Sequence, residues 1–528
     1  MMRICVVIGR PCAREWHSLL ARRLIHDQHE VAIFVNEGGP ALPSLLATTL
    51  AFERLVYGIS AKSLLTGILV DNSFEGIRRT DDVNESFDIV LRLDGDVSSA
   101  PGGARSFHPV FNGIQSEVGA VHAILDGHDV MIGVQSSGES SHANGYSIET
   151  ELPTIIGKTL DNACARMIDL LAWHCTSNRS LPVGSKSIEL CRMSNSPLLI
   201  PHAAATLTKR LLRRLDMFAR GGDRWMIGWR HAGNRPLEID GGRASLSYRR
   251  VRDDGQRFLA DPFPVFAGGR SWLFCEEYPY ATGRGIISVI DLDDPAGVAR
   301  PIIEASHHLS YPMVFADGGR WWMIPESGAS NRIVLYRCEE FPLKWTYEAT
   351  LIDVAASDPT LYRDQTGYWL IFTSCEGAGS PSDRLCVYHA PTLHGPWRPC
   401  GQQPLAIDAR TSRPAGHILS VGGALYRPTQ DCSRLYGGGI VWCQFSLPLE
   451  RPFQQVEIAT LSPRDARSFR GAHTYNRSGS FEAIDVYGAP SDDAIDLTFL
   501  PVAKVKSNSV CDQASALRAS QESANASV

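Results

Sequence analysis

Asp261, Tyr311, Asp358, His417 and His473 each open a segment of one recurring pattern, so two carboxylates, a phenol and two imidazoles occupy comparable places. Groups of this kind, brought to one point, can pass protons and orient hydroxyls. Unpaired buried charge is costly, so convergence of these side chains would argue for chemistry over core filling. The competing explanation is that Asp261-Pro262 and Asp358-Pro359 are ordinary turn caps. Glu276 and Glu277 end the apolar string SWLFCEE, and Glu326 ends WWMIPES. A carboxyl at the end of an aromatic strand can bind sugar hydroxyls or act as acid or base, according to how burial moves its pKa. It can also simply pair with an arginine. The run RPTQDC offers Arg427 for a phosphate or carboxylate and Gln430 with Asp431 for sugar hydroxyls, against the alternative of a salt link between neighbouring units. His308, Ser310 and Arg413 complete the candidate binding set. Trp272, Trp321, Trp322, Tyr368, Trp369 and Trp397 suit stacking on sugar faces, although most such rings serve the core.

The elements that must position these residues follow from the repeat. DPFPVFAGGRSWLF from Asp261, YPMVFADGGRWWMI from Tyr311, DPTLYRDQTGYWLIF from Asp358, HILSVGGALYR from His417 and HTYNRSGSFEAIDVY from His473 each read as strand, turn and aromatic strand. Their spacing of roughly 50 to 60 residues is that of a four-stranded blade. A unit with one uncoverable apolar face must stack on its neighbours around an axis. The expectation is an all-β five-bladed propeller over residues 224–503, with RWMIGWR (Arg224–Arg230) pairing with the last blade to close the ring.

Residues 1–175 read differently. The run RICVVIG, a helical pattern with Trp16, Leu20 and Leu24, and EVAIFV suggest a parallel βαβ unit, FDIVLRL (Phe87–Leu93) a further strand, and Thr159–Trp173 a closing helix. The fold class is therefore multidomain: an N-terminal α/β domain with a Rossmann-type sheet, then the propeller. Residues 176–223 are expected as a linker plus an amphipathic helix (Ala203–Arg220) carrying Lys209, Arg210, Arg213 and Arg214, and 504–528 as a disordered tail. That helix reads as packing between domains, with peripheral membrane contact the alternative.

At 528 residues with 44% hydrophobic and 20% charged side chains, the chain has the balance of folded domains. A net charge of −6 argues against nucleic acid and against a general attraction to anionic membranes. Thirteen scattered cysteines without metal-ligand spacing predict reduced thiols and no metal site. Neither a secretory apolar region nor a run of about 18 apolar residues is present, so a cytoplasmic location is expected.

The strings LADPFPVF, HHLSYPMVF, WWMIPES, FPLKW, HGPWRP, LYRPTQDCSRLYG and GAHTYN resemble the propeller domain at the N-terminus of plant glucosamine inositolphosphorylceramide transferases and of bacterial relatives. That domain is similar in fold to five-bladed arabinanases and levansucrases, whose catalytic set is an axial Asp, a second Asp and a Glu. The resemblance maps Asp261 and Asp358 onto the two aspartates and leaves the acid Glu without a counterpart, with Glu326 the candidate from the residues themselves. The plant transferases also carry a C-terminal glycosyltransferase domain, so any transfer by this sequence is expected to reside in what is present. The first domain resembles the formyltransferase fold, which uses an Asn, a His two residues on and a downstream Asp. Here Ser106 stands in for the Asn, His108 is kept, and Asp129 is the downstream acid at hand.

Four functions follow as expectations. The leading one is a glycosyl transferase of surface polysaccharide or glycolipid synthesis, with a nucleotide sugar as the possible donor and a sugar or glycolipid as substrate. The alternatives are a glycoside hydrolase using the same pocket, an N-formyltransferase acting on an amino sugar, and a non-catalytic sugar-binding scaffold. The sequence leaves the oligomeric state open.

Overall fold

The computed structural model describes residues 1–39, 42–57, 63–83, 85–94, 104–136, 144–150, 155–176, 186–187, 199–220, 223–232, 244–294, 296–375, 379–447, 449, 453–461, 469–489 and 494–501. Most of the expected linker and all of the expected tail lie outside them.

In the first domain the apolar runs form a largely parallel sheet. Arg3–Gly9 lies between Glu30–Asn36 and Ile89–Arg92, with Arg78–Arg79 beyond the first neighbour and Arg105–Phe111 beyond the second, all parallel. Met131–Ser136 and Asn144–Ser147 then extend the sheet antiparallel. Strands such as Cys5–Ile8 are buried on both faces: helices Glu15–His26 and Ile156–His174 lay apolar stripes on the side of Ile4, Val6 and Ile8, while Cys5 and Val7 cluster with Ala32, Phe87 and Val90 on the other. This region thus combines a mainly parallel sheet with helices. Nothing in this layer assigns it formyl transfer.

From Arg224 the chain builds five blades. Blade 1 runs through Arg257–Ala267, Arg270–Pro279, Ile286–Asp291 and Arg300–Ile303. Blade 2 uses Ser310–Asp317, Arg320–Glu326, Ile333–Glu340 and Lys344–Ile352. Blade 3 uses Ala356–Asp364, Gly367–Ser374 and Arg384–Ala390 with two short outer strands. Blade 4 uses Leu419–Val421, Ala424–Gln430, Ile440–Phe445 and Gln455–Leu461. Blade 5 joins Tyr475–Ser478 and Phe481–Gly488 to Arg224–His231 and Ala244–Arg250, so strands from the two ends of the region share one blade. Arg224–His231 pairs along the whole of Phe481–Gly488, which is the ring closure the sequence predicts. Tight hairpins at Gly268-Gly269, Gly318-Gly319 and Gly422-Gly423 take positive φ at both residues, a conformation that matches the strand twist and that glycine adopts without strain.

The two domains share a buried boundary. Arg166 of helix Ile156–His174, only 1% exposed, pairs with Asp383 of blade 3 (2.8 Å) and donates to the Ser380 carbonyl (2.6 Å). Thr150 donates to the Ser433 carbonyl (2.6 Å), the Ala409 amide to the Ser147 carbonyl (3.1 Å), and Arg434 pairs with Asp129 (2.8 Å). Ile407 from the propeller sits in the first domain's core.

Candidate active site at the propeller hub

The inner strands of blades 1 to 3 each contain a register slip, between Ala260 and Phe263, Ser310 and Met313, and Ser357 and Thr360. At the slips stand Asp261, Tyr311 and Asp358, with φ of 51°, 45° and 51°. A bulge re-aims the side chain it carries. Left-handed backbone costs a non-glycine residue roughly 1–2 kcal/mol, and a following proline further restricts its conformation. Three such Xaa-Pro positions are held by packing from all sides, and the two acids among them point to the axis.

There the blades are stitched together by hydrogen bonds. The Asp261 amide donates to Asp485 Oδ2 (2.9 Å), while its own carboxylate accepts the Tyr311 amide (3.1 Å) and the Thr474 hydroxyl (2.6 Å). Asp358 Oδ2 accepts Arg413 Nε and Gln430 Nε2, both at 2.6 Å. Glu326 accepts the Asp358 amide (2.9 Å) and lies 3.5 Å from Arg413 Nη2, so this guanidinium bridges two acids. His473 Nδ1 donates to Asp485 Oδ2 at 2.6 Å. Glu276 faces His308 Nε2 (3.3 Å), whose Nδ1 accepts the Gly285 amide (3.0 Å); the neutral ring therefore carries its proton on the nitrogen that faces the acid.

Five carboxyls (Asp261, Glu276, Glu326, Asp358 and Asp485) thus surround two cations, Arg413 and His473, among the described residues. Burial, reinforced by the neighbouring acids, pushes Glu276 and Glu326 well above the ordinary carboxylate range and Asp261 up to about 6. Burial works against the His473 cation, and Asp485 with Asp261 overrules it, so this imidazole is raised. Carboxyls raised in this way beside a raised imidazole suit general acid and base work. Asp261, His473 and Asp485 also bring ligand-type atoms within 4.8 Å of one another. Asp485 Oδ1 already accepts the His473 and Thr474 amides and Oδ2 the Asp261 amide and the His473 ring, so this carboxylate has no lone pair left for an ion.

The structure therefore brings Asp261, Glu276, His308, Glu326, Asp358, Arg413, Gln430 and His473 to the hub, with Ser310 opposite Glu326 in the strand register. Other expected residues land elsewhere, which corrects the expectation of one common pocket. Glu277 points away from Glu276, as strand alternation demands, and binds Arg257 and Ser288 (2.6 Å). Arg427 is a strut between segments, donating to the Thr411 and Ser412 carbonyls and to Gln455, and desolvation lowers it to about 10. Asp431 joins Arg410 and Ser433. Tyr311 turns its hydroxyl to Thr360 (2.8 Å), so it spaces the two acids and offers no group to a ligand. His417 packs edge-on against Phe263 (5.1 Å), and desolvation keeps it neutral down to about 4.

In the first domain Ser106 and His108 are 3% and 2% exposed on strand Arg105–Phe111. Asp129 pairs with Arg434 of the propeller (2.8 Å). The sequence reading missed Asp485 and Thr474, which hold Asp261 and His473 in place. The available signal was an acid inside the apolar strand string FEAIDVY.

Comparison with known proteins follows the same boundary. Residues 247–497 match the family model described as glucosamine inositolphosphorylceramide transferase 1, N-terminal. The glucosamine inositolphosphorylceramide transferase 1 of Arabidopsis thaliana is 30% identical over 207 residues, 38% of this chain and 27% of that protein. The protein of the same name from Oryza sativa subsp. japonica is 29% identical over 286 residues, 49% of this chain and 38% of that protein. These curated relatives are thus matched over well under half of their own length. Among solved structures, a β-xylosidase/α-arabinofuranosidase from a compost microbial metagenome aligns at 12% identity and a TM-score of 0.33, covering 53% of this chain and 97% of that one. The propeller assignment rests on the strand pairing above. Over residues 247–497 the chain carries a domain matching the N-terminal part of glucosamine inositolphosphorylceramide transferase 1, and the hub acids lie within that match.

Proposed function

We propose that the hub is a carbohydrate reaction centre that transfers a glycosyl group to a hydroxyl acceptor in the synthesis of a surface polysaccharide or glycolipid. One observation carries the reading: Asp261 and Asp358 occupy left-handed positions before proline that crowd buried acids at one place, Asp358 raising both Asp261 and Glu326. Strain and like-charge crowding together persist where function selects them. In this scheme Glu326, held protonated by burial and by Asp358, gives its proton to the departing oxygen as the glycosidic C–O bond breaks. Asp358, fixed by Arg413 and Gln430, faces the positive charge that develops on the sugar. Asp261, ionised above about 6, takes the proton of the incoming hydroxyl as the new C–O bond forms. Water in place of the acceptor would make the same steps a hydrolysis.

The test is mass-spectrometric analysis of products after incubating the full chain with nucleotide sugars and aryl glycosides, with and without alcohol acceptors. The expected result is an acceptor-linked product that Asp358→Asn and Glu326→Gln each cut by at least about 100-fold. Free sugar alone selects the hydrolase, and a product yield indifferent to both substitutions defeats the assignment.

We further propose that helix Leu199–Arg220 rests on an anionic membrane surface. Its inner side packs on helix Ser44–Tyr57, with Arg210 over the Tyr57 ring (5.0 Å) and Thr206 buried. Ile200, Leu207, Leu211 and Leu212 are exposed, and the segment carries Lys209, Arg210, Arg213, Arg214 and Arg220 against one acid, Asp216. No helix among the described residues is long and apolar enough to cross a membrane.

A further inference from the structure

Beside the hub, at the boundary of the two domains, lies a cleft of about 560 Å³. This falls within the range of about 300–1,000 Å³ typical of small-molecule sites. The first domain contributes Glu149, Lys158 and Asn162, and the propeller contributes Trp225, Tyr436 and Tyr487. We propose that this cleft is a second saccharide subsite, continuous with the hub, and that the first domain thereby selects what the propeller acts on. The proposal rests on reading the hub as a carbohydrate site.

Continuity with the hub is given by the aromatic wall. Trp225 stacks on His473 (ring centroids 3.7 Å apart, planes at 22°) and meets Tyr436 edge to face (6.4 Å, 89°). Tyr436 in turn lies over the Arg413 guanidinium (5.0 Å). The wall is therefore one ring away from the two cations that hold Asp261 and Asp358. Gly437 makes this possible: with φ of 59°, it sits where a Cβ would come within 2.8 Å of His473 Cβ and 2.9 Å of Trp225 Cη2. From the opposite side Glu149 accepts the Ser380 hydroxyl and feels Arg413 across the boundary, so both domains bear on the same guanidinium.

The composition of the cleft points to a neutral sugar ring. Aromatic faces suit the C–H face of a sugar, while Asn162, Thr150 and Glu149 offer amide, hydroxyl and carboxylate partners for its hydroxyls. A phosphate fits poorly. The acids of the hub outnumber its cations, Glu149 adds another carboxyl, and the first free amides of helix Ile156–His174 are taken, since Ile156 and Gly157 donate to Glu53 (3.0 and 2.8 Å).

Calorimetric titration of the full chain tests this, using the methyl β-glycosides of galactose, xylose and N-acetylglucosamine, the methyl α-glycoside of arabinofuranose, and disaccharides built from each. Wild type should bind at least one disaccharide about tenfold tighter than its monosaccharide. Asn162→Ala combined with Lys158→Met should erase that advantage while monosaccharide binding stays. Asn162→Trp, which fills the cleft, should do the same, and unchanged melting temperatures verify folding. Asp358→Asn should weaken both ligands. A disaccharide advantage that survives both cleft variants, or no advantage in wild type, overturns the subsite and leaves the hub reading intact. If no saccharide of the panel binds wild type, the hub reading itself fails and the subsite with it.

Discussion

Asp261 shows how a single residue can serve the site at the expense of the fold. Its backbone is left-handed before a proline, and its carboxyl is buried among other acids, which raises it from 3.8 to about 6. A carboxyl raised in the folded state imposes no penalty below pH 3.8, where it is protonated whether folded or not. As pH climbs from there through about 6, the unfolded chain ionises more readily, and the native state loses stability. At about 1.4 kcal/mol per pH unit this amounts to about 3 kcal/mol. Asp261→Asn has no such titration. The stability of that variant minus wild type, from urea midpoints, should therefore grow more positive between pH 4 and pH 7, and a difference that is flat or falls with pH would be at odds with a buried Asp261 raised to about 6. At this scale the sequence already showed Asp261 and Asp358, because the repeat aligns them, and Glu326, because it ends the apolar string WWMIPES; the bulges that re-aim the two aspartates were not legible, since Asp before Pro read equally as a turn cap. It could not separate Glu276 from Glu277. Adjacent residues in a strand face opposite ways, and only the register, Ala260 with Glu276 and Leu259 with Glu277, says which one meets the axis.

Among the elements, the closing strand and the amphipathic helix contrast in how far sequence could read them. Arg224–His231 was legible as a strand because the apolar string RWMIGWR stands before the first full repeat, where an unpaired blade edge called for it. Helix Leu199–Arg220 was legible as a helix, but its role depends on which side finds a partner. Ile200 (64%), Leu211 (56%) and Leu212 (58%) are exposed in a segment that also carries Lys209 and Arg210, the pattern on which the proposed membrane contact rests. Replacing Leu207, Leu211 and Leu212 together by Ser should lower cosedimentation with vesicles of phosphatidylglycerol and phosphatidylcholine by at least about tenfold, since each leucine forfeits apolar burial. The effect should be smaller with pure phosphatidylcholine. Equal binding by variant and wild type would remove the membrane role from this helix.

For the whole molecule, the two halves join through buried contacts that the expected linker and helix gave no sign of. Helix Ile156–His174 spends Arg166 on Asp383 of blade 3, with both side chains buried, and the propeller lends Ile407 to the first domain's core. Such contacts are tertiary facts without a local pattern: Arg166 reads in the sequence as one more polar position of a helix. Removing one member of a buried pair strands the other charge, so Arg166→Ala should destabilise the chain by about 3–5 kcal/mol and split the thermal transition into two. A single transition within a degree of wild type would show that the boundary contributes little.

The most direct test of the central claim is a thermal-shift screen of wild type, Asp261→Asn and Asp358→Asn against one panel of nucleotide sugars and glycans. The account predicts at least one ligand that raises the melting temperature of wild type and has little or no effect on either variant. A stabilising saccharide that shifts all three proteins equally would place the sugar site away from the hub and contradict the account.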